Sequence, residues 1–283
     1  MAIVLEGGRY GKAEVRLLRV TRDGASHDIR DLNVTVTLSG DVDASYVAGD
    51  NSSVLTTDAQ KNAVFAFAKT HGVGEIEEFA LLLARHFAAF QPVARVHVAQ
   101  YPWERVRGHS FARGGRETRT ATVTCRGEEA WVVSGLEDLT LLNTAGSEFR
   151  GFARDAYTTL PETTDRILAT AVSARWRHTG ALSGGAWGES YAAVAGLLAE
   201  AFADTYSHSL QETLFAMGRQ VLAKLDGIAE VRLSLPNKHH IEVDLSPFGL
   251  DNSSEVFYPA DRPYGLIEGT VARDDAPPAG LAW

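Results

Sequence analysis

Apolar and polar residues alternate through Leu32, Val34, Val36 and Leu38, which predicts a strand with one buried face over Leu32 to Leu38. Glu14 to Val20 reads as its neighbour. The period then lengthens. A helix is predicted through Ala63 to Lys69 with Thr57 or Asp58 as N-cap, and a second from about Glu75 to Phe90, where Ile76, Phe79, Leu82, Leu83 and Phe87 fall at helical spacing. Strand material returns at Val93, Val96 and Val98, with Arg119 to Arg126 as partner. The remainder repeats that order. Strands at Ala130 to Leu141 and Ala171 to Trp176 precede a helix from Ser190, with Val194, Leu197, Leu198 and Phe202 on one face. A further helix opened by Leu210 carries Leu214, Met217, Val221 and Leu225, and Ala229 to Asp244 is strand again. The chain therefore reads as α+β with antiparallel sheets, in two similar units, 1–136 and 137–283, each of two strands, two helices and two strands. Exposed edges of such short sheets argue for oligomerisation. Ser183 to Gly188 reads as a turn lacking the lysine of a phosphate loop, Glu75 to Glu78 as a solvated helix face, and Asp274 to Gly280 as a mobile tail.

One stretch interrupts the alternation. Val231, Leu233 and Leu235 alternate and Ile241, Val243 and Leu245 resume, with Asn237-Lys238-His239-His240 between them. Two residues apart on an extended strand, Asn237 and His239 point to the same side and can converge on one ligand. A β-bulge holding a satisfied histidine accounts for the same pattern.

Composition narrows the classes. At 283 residues and 45% hydrophobic, the chain can fill two modest cores or one large one. A net charge of −9, from 27 basic and 36 acidic residues, argues against nucleic acid or an anionic membrane as partner. An anionic substrate would need a local positive pocket. Cys125 is the single cysteine, so no intrachain disulfide can form, and it reads as a buried thiol. Met1 to Gly8 lacks the basic start and long apolar core of a secretory signal, and no run is long enough to span a bilayer, so a cytoplasmic protein is expected.

The segment Ser234 to Leu245 resembles the C-terminal motif of the urate oxidase (uricase) family, and further segments agree with it in order along nearly the whole chain. They are Tyr10-Gly11-Lys12; Gly49 to Ser52 leading into Thr56-Thr57-Asp58; Ser147 to Phe152, then Arg154-Asp155 and Tyr157 to Leu160; Asp165 to Leu168; and Ser209-Leu210-Gln211. The resemblance implies two tandem tunnelling-fold units whose sheets close into a barrel on oligomerisation, in a homotetramer with its sites at subunit interfaces. It implies oxidation of urate by O2 and water to 5-hydroxyisourate and hydrogen peroxide, with no metal and no organic cofactor. The C-terminal Gly280 to Trp283 is not a peroxisomal address of the Ser-Lys-Leu type, so a bacterial-type member is expected.

Residue by residue, the resemblance assigns Lys12 and Thr57 to proton transfer, with His239 extending the relay, since an imidazole passes protons at neutral pH. Arg166 is the planar fork for the edge of an anionic purine, Gln211 reads the opposite edge, and Phe149 stacks on the ring. Thr57 and Asp58 meet substrate at a helix start, and Asn237 holds O2 or water over the ring. Leu210 stands where the family commonly has valine, and its contact is expected from the backbone N–H. Two other classes compete. A zinc-dependent tunnelling-fold enzyme acting on a pterin or GTP needs a Cys/His ligand cluster, which one cysteine and nine scattered histidines do not supply. A purine binder without chemistry has no need of the Lys12 and Thr57 pair.

Overall fold

A computed structural model of the protein describes residues 2–115, 117–180 and 186–283. Those residues form an α+β structure with antiparallel sheets and five α-helices. The chain divides into two compact units, Met1–Gly135 with Trp176–Tyr191 and Pro277–Trp283, and Leu136–Arg175 with Ala192–Ala276. Among the described residues no helix is long and apolar enough to cross a membrane.

In the first unit a long hairpin of β1 (Arg9–Asp23) and β2 (Ser26–Ser39) is extended by β3 (Val93–Tyr101), β6 (Thr118–Arg126) and the start of β7 (Glu129–Asn143). A separate two-stranded ribbon, β4 (Trp103–Arg107) with β5 (Ser110–Arg113), lies between β3 and β6 in the chain. Registers such as Val34 opposite Val98 and Val96 opposite Val123 stack the apolar positions of neighbouring strands. This face carries Leu32, Val34, Val36, Leu38, Val96 and Val123, all at most 1% exposed. The short α1 (Asp43–Val47) precedes two covering helices. Of these, α2 (Thr57–Thr70) packs on β1 and α3 (Ile76–Ala88) on β3 and β6, bringing Val64, Ile76, Phe79, Leu83 and Phe87 into one core with the strand residues. Each such side chain removed from water stabilises the unit by about 1.5–3 kcal/mol before entropy is counted.

The second unit is built around the end of β7, β8 (Leu168–His178), β9 (Ile228–Glu242) and β10 (Phe257–Ala272), with α4 (Ala186–Asp204) and α5 (Leu210–Lys224). Helix α5 packs on β9 and β10 so closely that a Cβ on Gly218 would lie 2.6 Å from Val271. Leu214, Met217 and Val221 of α5 and Val231, Leu233 and Leu235 of β9 are buried there.

Several sequence expectations are corrected. The N-cap of α2 is Thr56, whose Oγ1 accepts from the Ala59 N–H at 3.1 Å, so Thr57 and Asp58 are its first helical residues. Ala186 to Gly188 open α4 rather than forming a turn, while the Ser183 to Gly185 part of that reading lies outside the described residues. Beyond Asp274 to Gly280, most of whose residues are exposed, Ala282 is 1% exposed in the first unit and the Leu281 carbonyl accepts from Arg95 at 3.5 Å. Ile241, expected on a buried face, is 56% exposed.

The expected solvated face at Glu75 to Glu78 is half wrong, because Glu77 is 1% exposed. Its carboxylate meets Arg119 at 2.6 Å and accepts from Ser134 Oγ at 2.7 Å, while Glu75 meets the same guanidinium at 2.7 Å. With its one proton given to Glu77, Ser134 Oγ accepts from His178 Nε2 at 2.9 Å, which fixes the proton of that ring on Nε2. Burial raises the Glu77 carboxyl above its ordinary range although Arg119 and Ser134 pull it down, and burial lowers His178 to about 4. The sign follows. Above pH 6.5 His178 is neutral in both folded and unfolded chains; as pH falls from 6.5 towards 4 only the unfolded chain takes up the proton, so stability is lost over that window. Urea unfolding of His178→Gln beside the natural chain is expected to show a flatter decline of the midpoint between pH 7 and pH 4.5, and parallel declines would refute this assignment.

Candidate functional site

In the second unit β10 pairs with β9 through Val231 opposite Val271 and Leu235 opposite Ile267. Pairing then jumps from Asn237 opposite Gly265 to His239 opposite Ala260, so four residues of β10, Asp261 to Tyr264, answer the single residue Lys238. The bulge is thus in β10, and Asn237 to His240 stay in regular strand. Asn237 and His239 line one cavity of about 630 Å³ together with Phe149, Arg166 and Arg262. That volume lies in the range of small-molecule sites.

The cavity's other wall starts from Gly146 to Phe149, a segment tied on both sides by backbone hydrogen bonds. Glu148 N–H donates to the Ser207 carbonyl at 2.8 Å and Ser207 N–H to the Gly146 carbonyl at 3.0 Å, while Phe149 exchanges a pair with Thr163 at 2.9 and 3.1 Å. Phe149 is half-buried, stacked on Phe152 with ring centres 5.0 Å apart and planes 15° from parallel. The Arg166 guanidinium lies 5.1 Å over the Phe149 ring, and its Nε donates to Ser147 Oγ at 3.3 Å. Burial lowers the Arg166 pKa, yet a guanidinium stays charged at neutral pH. This arrangement offers a cationic fork, an aromatic face, an amide and an imidazole around one concavity. It suits a flat, anionic heterocycle.

Leu210 and Gln211 are the first two residues of α5, whose N-cap Ser209 accepts from Glu212 N–H at 3.2 Å. Leu210 is buried and Gln211 exposed, and neither is among the residues lining the cavity.

Lys12, Thr57 and Asp58 belong to the first unit. A Cβ on Gly11 would stand 1.9 Å from the Val36 carbonyl oxygen, so only glycine permits this approach of β1 to β2. Tyr10 and Lys12 flank it. The Tyr10 hydroxyl accepts from Leu55 N–H at 2.9 Å, tying the start of β1 to the segment that leads into α2. After Lys12 the register breaks, since Lys12 faces Val36 and Val15 faces Val34. Glu14, in the bulge, has φ of 55° and gives its N–H to Thr35 Oγ1 at 3.0 Å. The Asp58 carboxyl is held low first by Lys61, at 2.5 Å, then by Asn62, and to a lesser degree by the charge of Lys12. Among the described hydrogen bonds none joins Lys12 to Thr57. Nor does any group of three His, Cys, Asp or Glu side chains among the described residues have the arrangement of a metal site.

Sequence reasoning missed Ser147 as the partner of Arg166, Tyr10 as an anchor, and the β10 contribution through Phe257, Arg262 and Pro263. The signal for β10 was present in Leu266 to Val271, but Pro259, Pro263, Gly265 and Gly269 obscure it.

A family model described as Uricase matches residues 8–124 and 132–268. A uricase of Arthrobacter globiformis is 52% identical over 277 residues, spanning 96% of this chain and 91% of that one. A uricase of Dictyostelium discoideum is 40% identical over 286 residues, spanning 96% and 98%. The crystal structure of uricase from Arthrobacter globiformis aligns with a TM-score of 0.93 at 50% identity over 98% of both chains.

Gly11→Ala is expected to cost about 1–3 kcal/mol, as overpacking does, and to lower the thermal midpoint by several degrees. An unchanged midpoint in calorimetry would show that β1 can move off Val36 without loss.

Proposed function

The chain belongs to the uricase family, and from that premise we propose that it oxidises urate with O2 and water to 5-hydroxyisourate and hydrogen peroxide, using no metal or organic cofactor. The observation that carries the reading is the gathering of Phe149, Arg166, Asn237 and His239, from three stretches far apart in sequence, around one cavity. Urate gives up an electron pair, O2 takes it with protons and leaves as peroxide, and water adds its oxygen to the ring. Arg166 binds one edge of the purine bidentately and holds its negative charge, and Phe149 covers a ring face. Gln211 reads the opposite edge, with the backbone N–H of Leu210, one of the unpaired donors at a helix start, beside it. Asn237 holds O2 and then water above the ring. Removal of a proton raises the electron density of urate, and Lys12, Thr57 and His239 carry that proton away. Thr57 and Asp58 meet the substrate at the start of α2.

The assembly proposed is a homotetramer of tandem tunnelling-fold units, 1–136 and 137–283, whose sheets close into a barrel. In it Lys12 and Thr57 of one subunit complete the cavity of another, and the net charge of −9 fits a cytoplasmic enzyme that binds neither nucleic acid nor membrane. Loss of urate absorbance in air, with anaerobic and chelator-treated controls and peroxide counted, tests the reaction. Equimolar peroxide and chelator-resistant turnover are expected, and no turnover by an intact oligomer would overturn it. Lys12→Ala and Arg166→Ala proteins are each expected to be inactive alone and to regain part of the activity when refolded together. Silent hetero-oligomers would refute shared sites.

A further inference from the structure

Arg166 and the first turn of α5 are separate in sequence, yet buried hydroxyls at each end, joined by a backbone ladder, link them. Ser147, 0% exposed, takes the Arg166 Nε–H at 3.3 Å. Its segment is laddered to Ser207, also 0% exposed, by the two backbone hydrogen bonds through Gly146 and Glu148. Thr213 Oγ1, on α5 and 0% exposed, donates to Ser207 Oγ at 2.8 Å, and Ser207 Oγ donates to the Ser209 carbonyl at 3.0 Å. Ser209 is the N-cap that sets where Leu210 and Gln211 begin.

Resting on the urate reading above, we propose that Ser147 is a positioning residue for Arg166, and that the Ser147, Ser207 and Thr213 chain sets the spacing between Arg166 and the Leu210–Gln211 turn. A guanidinium offers five donors in a rigid plane. Holding Nε leaves the two Nη groups to fork onto one edge of the ring, and holding the cap places the amide of Gln211 for the other edge. Short, buried hydroxyls suit this task. They order with little loss of rotamer freedom, and a hydroxyl left without its partner in such a place is costly. The device predicts an effect on how tightly the purine is held more than on the chemical step, because both edges are held alike in ground and transition states.

The test is a double-mutant cycle read by urate binding under anaerobic conditions, where no turnover occurs. Ser147→Ala is expected to weaken urate binding about tenfold, the range for one hydrogen bond to a charged group, with kcat in air changed less than about twofold. In an Arg166→Ala background the same change should have no further effect, whereas a merely structural role would weaken binding by the same factor in both backgrounds. If Ser147→Ala does not fold, Thr213→Val paired with Gln211→Ala asks the same question at the other end of the chain. Additive cycles in a wild type that oxidises urate would overturn the positioning role alone. A wild type that neither binds nor oxidises urate would overturn the urate reading and this inference with it.

Discussion

The constraint on which this structure rests is the two-residue period of the β-strand combined with helices that cover one face of the strands. Where the period holds, every second residue is committed to the core, as in Leu32, Val34, Val36 and Leu38, and chemistry has no place on that face. Where it breaks, a side chain is re-aimed. Two of the breaks fall beside residues of the proposed site, while a third lies in the β4–β5 ribbon between Arg105 and Arg107: Ala13 and Glu14 interrupt β1 directly after Lys12, and Asp261 to Tyr264 interrupt β10 opposite Lys238, between Asn237 and His239. At those two bulges a repetitive scaffold gives up regularity beside the residues of the proposed site.

The second organising fact is that irregular backbone cannot be buried without partners. Gly146 to Phe149 runs outside the named strands, with Ser147 and Glu148 buried, so its N–H and C=O groups must be met by other segments. Ser207 meets them on one side and Thr163 on the other. One short segment therefore fixes the approach of three stretches, and Phe149, Arg166 and the cap of α5 inherit their places from it. Arg166 over Phe149 adds a cation–π contact of the kind worth about 0.5–2 kcal/mol.

How much of this could be read in the sequence follows from how local each cause is. The strand at Leu32 to Leu38 and the helix through Phe79 and Leu83 were legible because their patterns are periodic and self-contained. The cap moved from Thr57 or Asp58 to Thr56 because three adjacent polar residues can all cap and only backbone geometry chooses. Glu77 was misread because its partners, Arg119 and Ser134, come from distant strands, and His178 reaches it only through the Ser134 hydroxyl. Strand β10 was unreadable because its prolines and glycines, which accommodate the bulge and the close approach of α5, are the residues that argue against a strand. For the site, alternation on β9 was enough to bring Asn237 and His239 to the same cavity, whereas nothing local pairs Arg166 with Ser147. Gln211 sits exposed at its helix start, where sequence alone would leave it.

The burial of Cys125 bears on a hazard of the proposed reaction. Sulfur is the side-chain element most readily attacked by peroxide, and this chain holds three sulfur atoms, in Met1, Cys125 and Met217. Cys125 is 1% exposed, and burial raises its pKa, which disfavours the thiolate that reacts. Met217 is 0% exposed in the core of the second unit. In the reaction proposed, which releases peroxide at every turnover, the interior sulfur is thereby screened from the product.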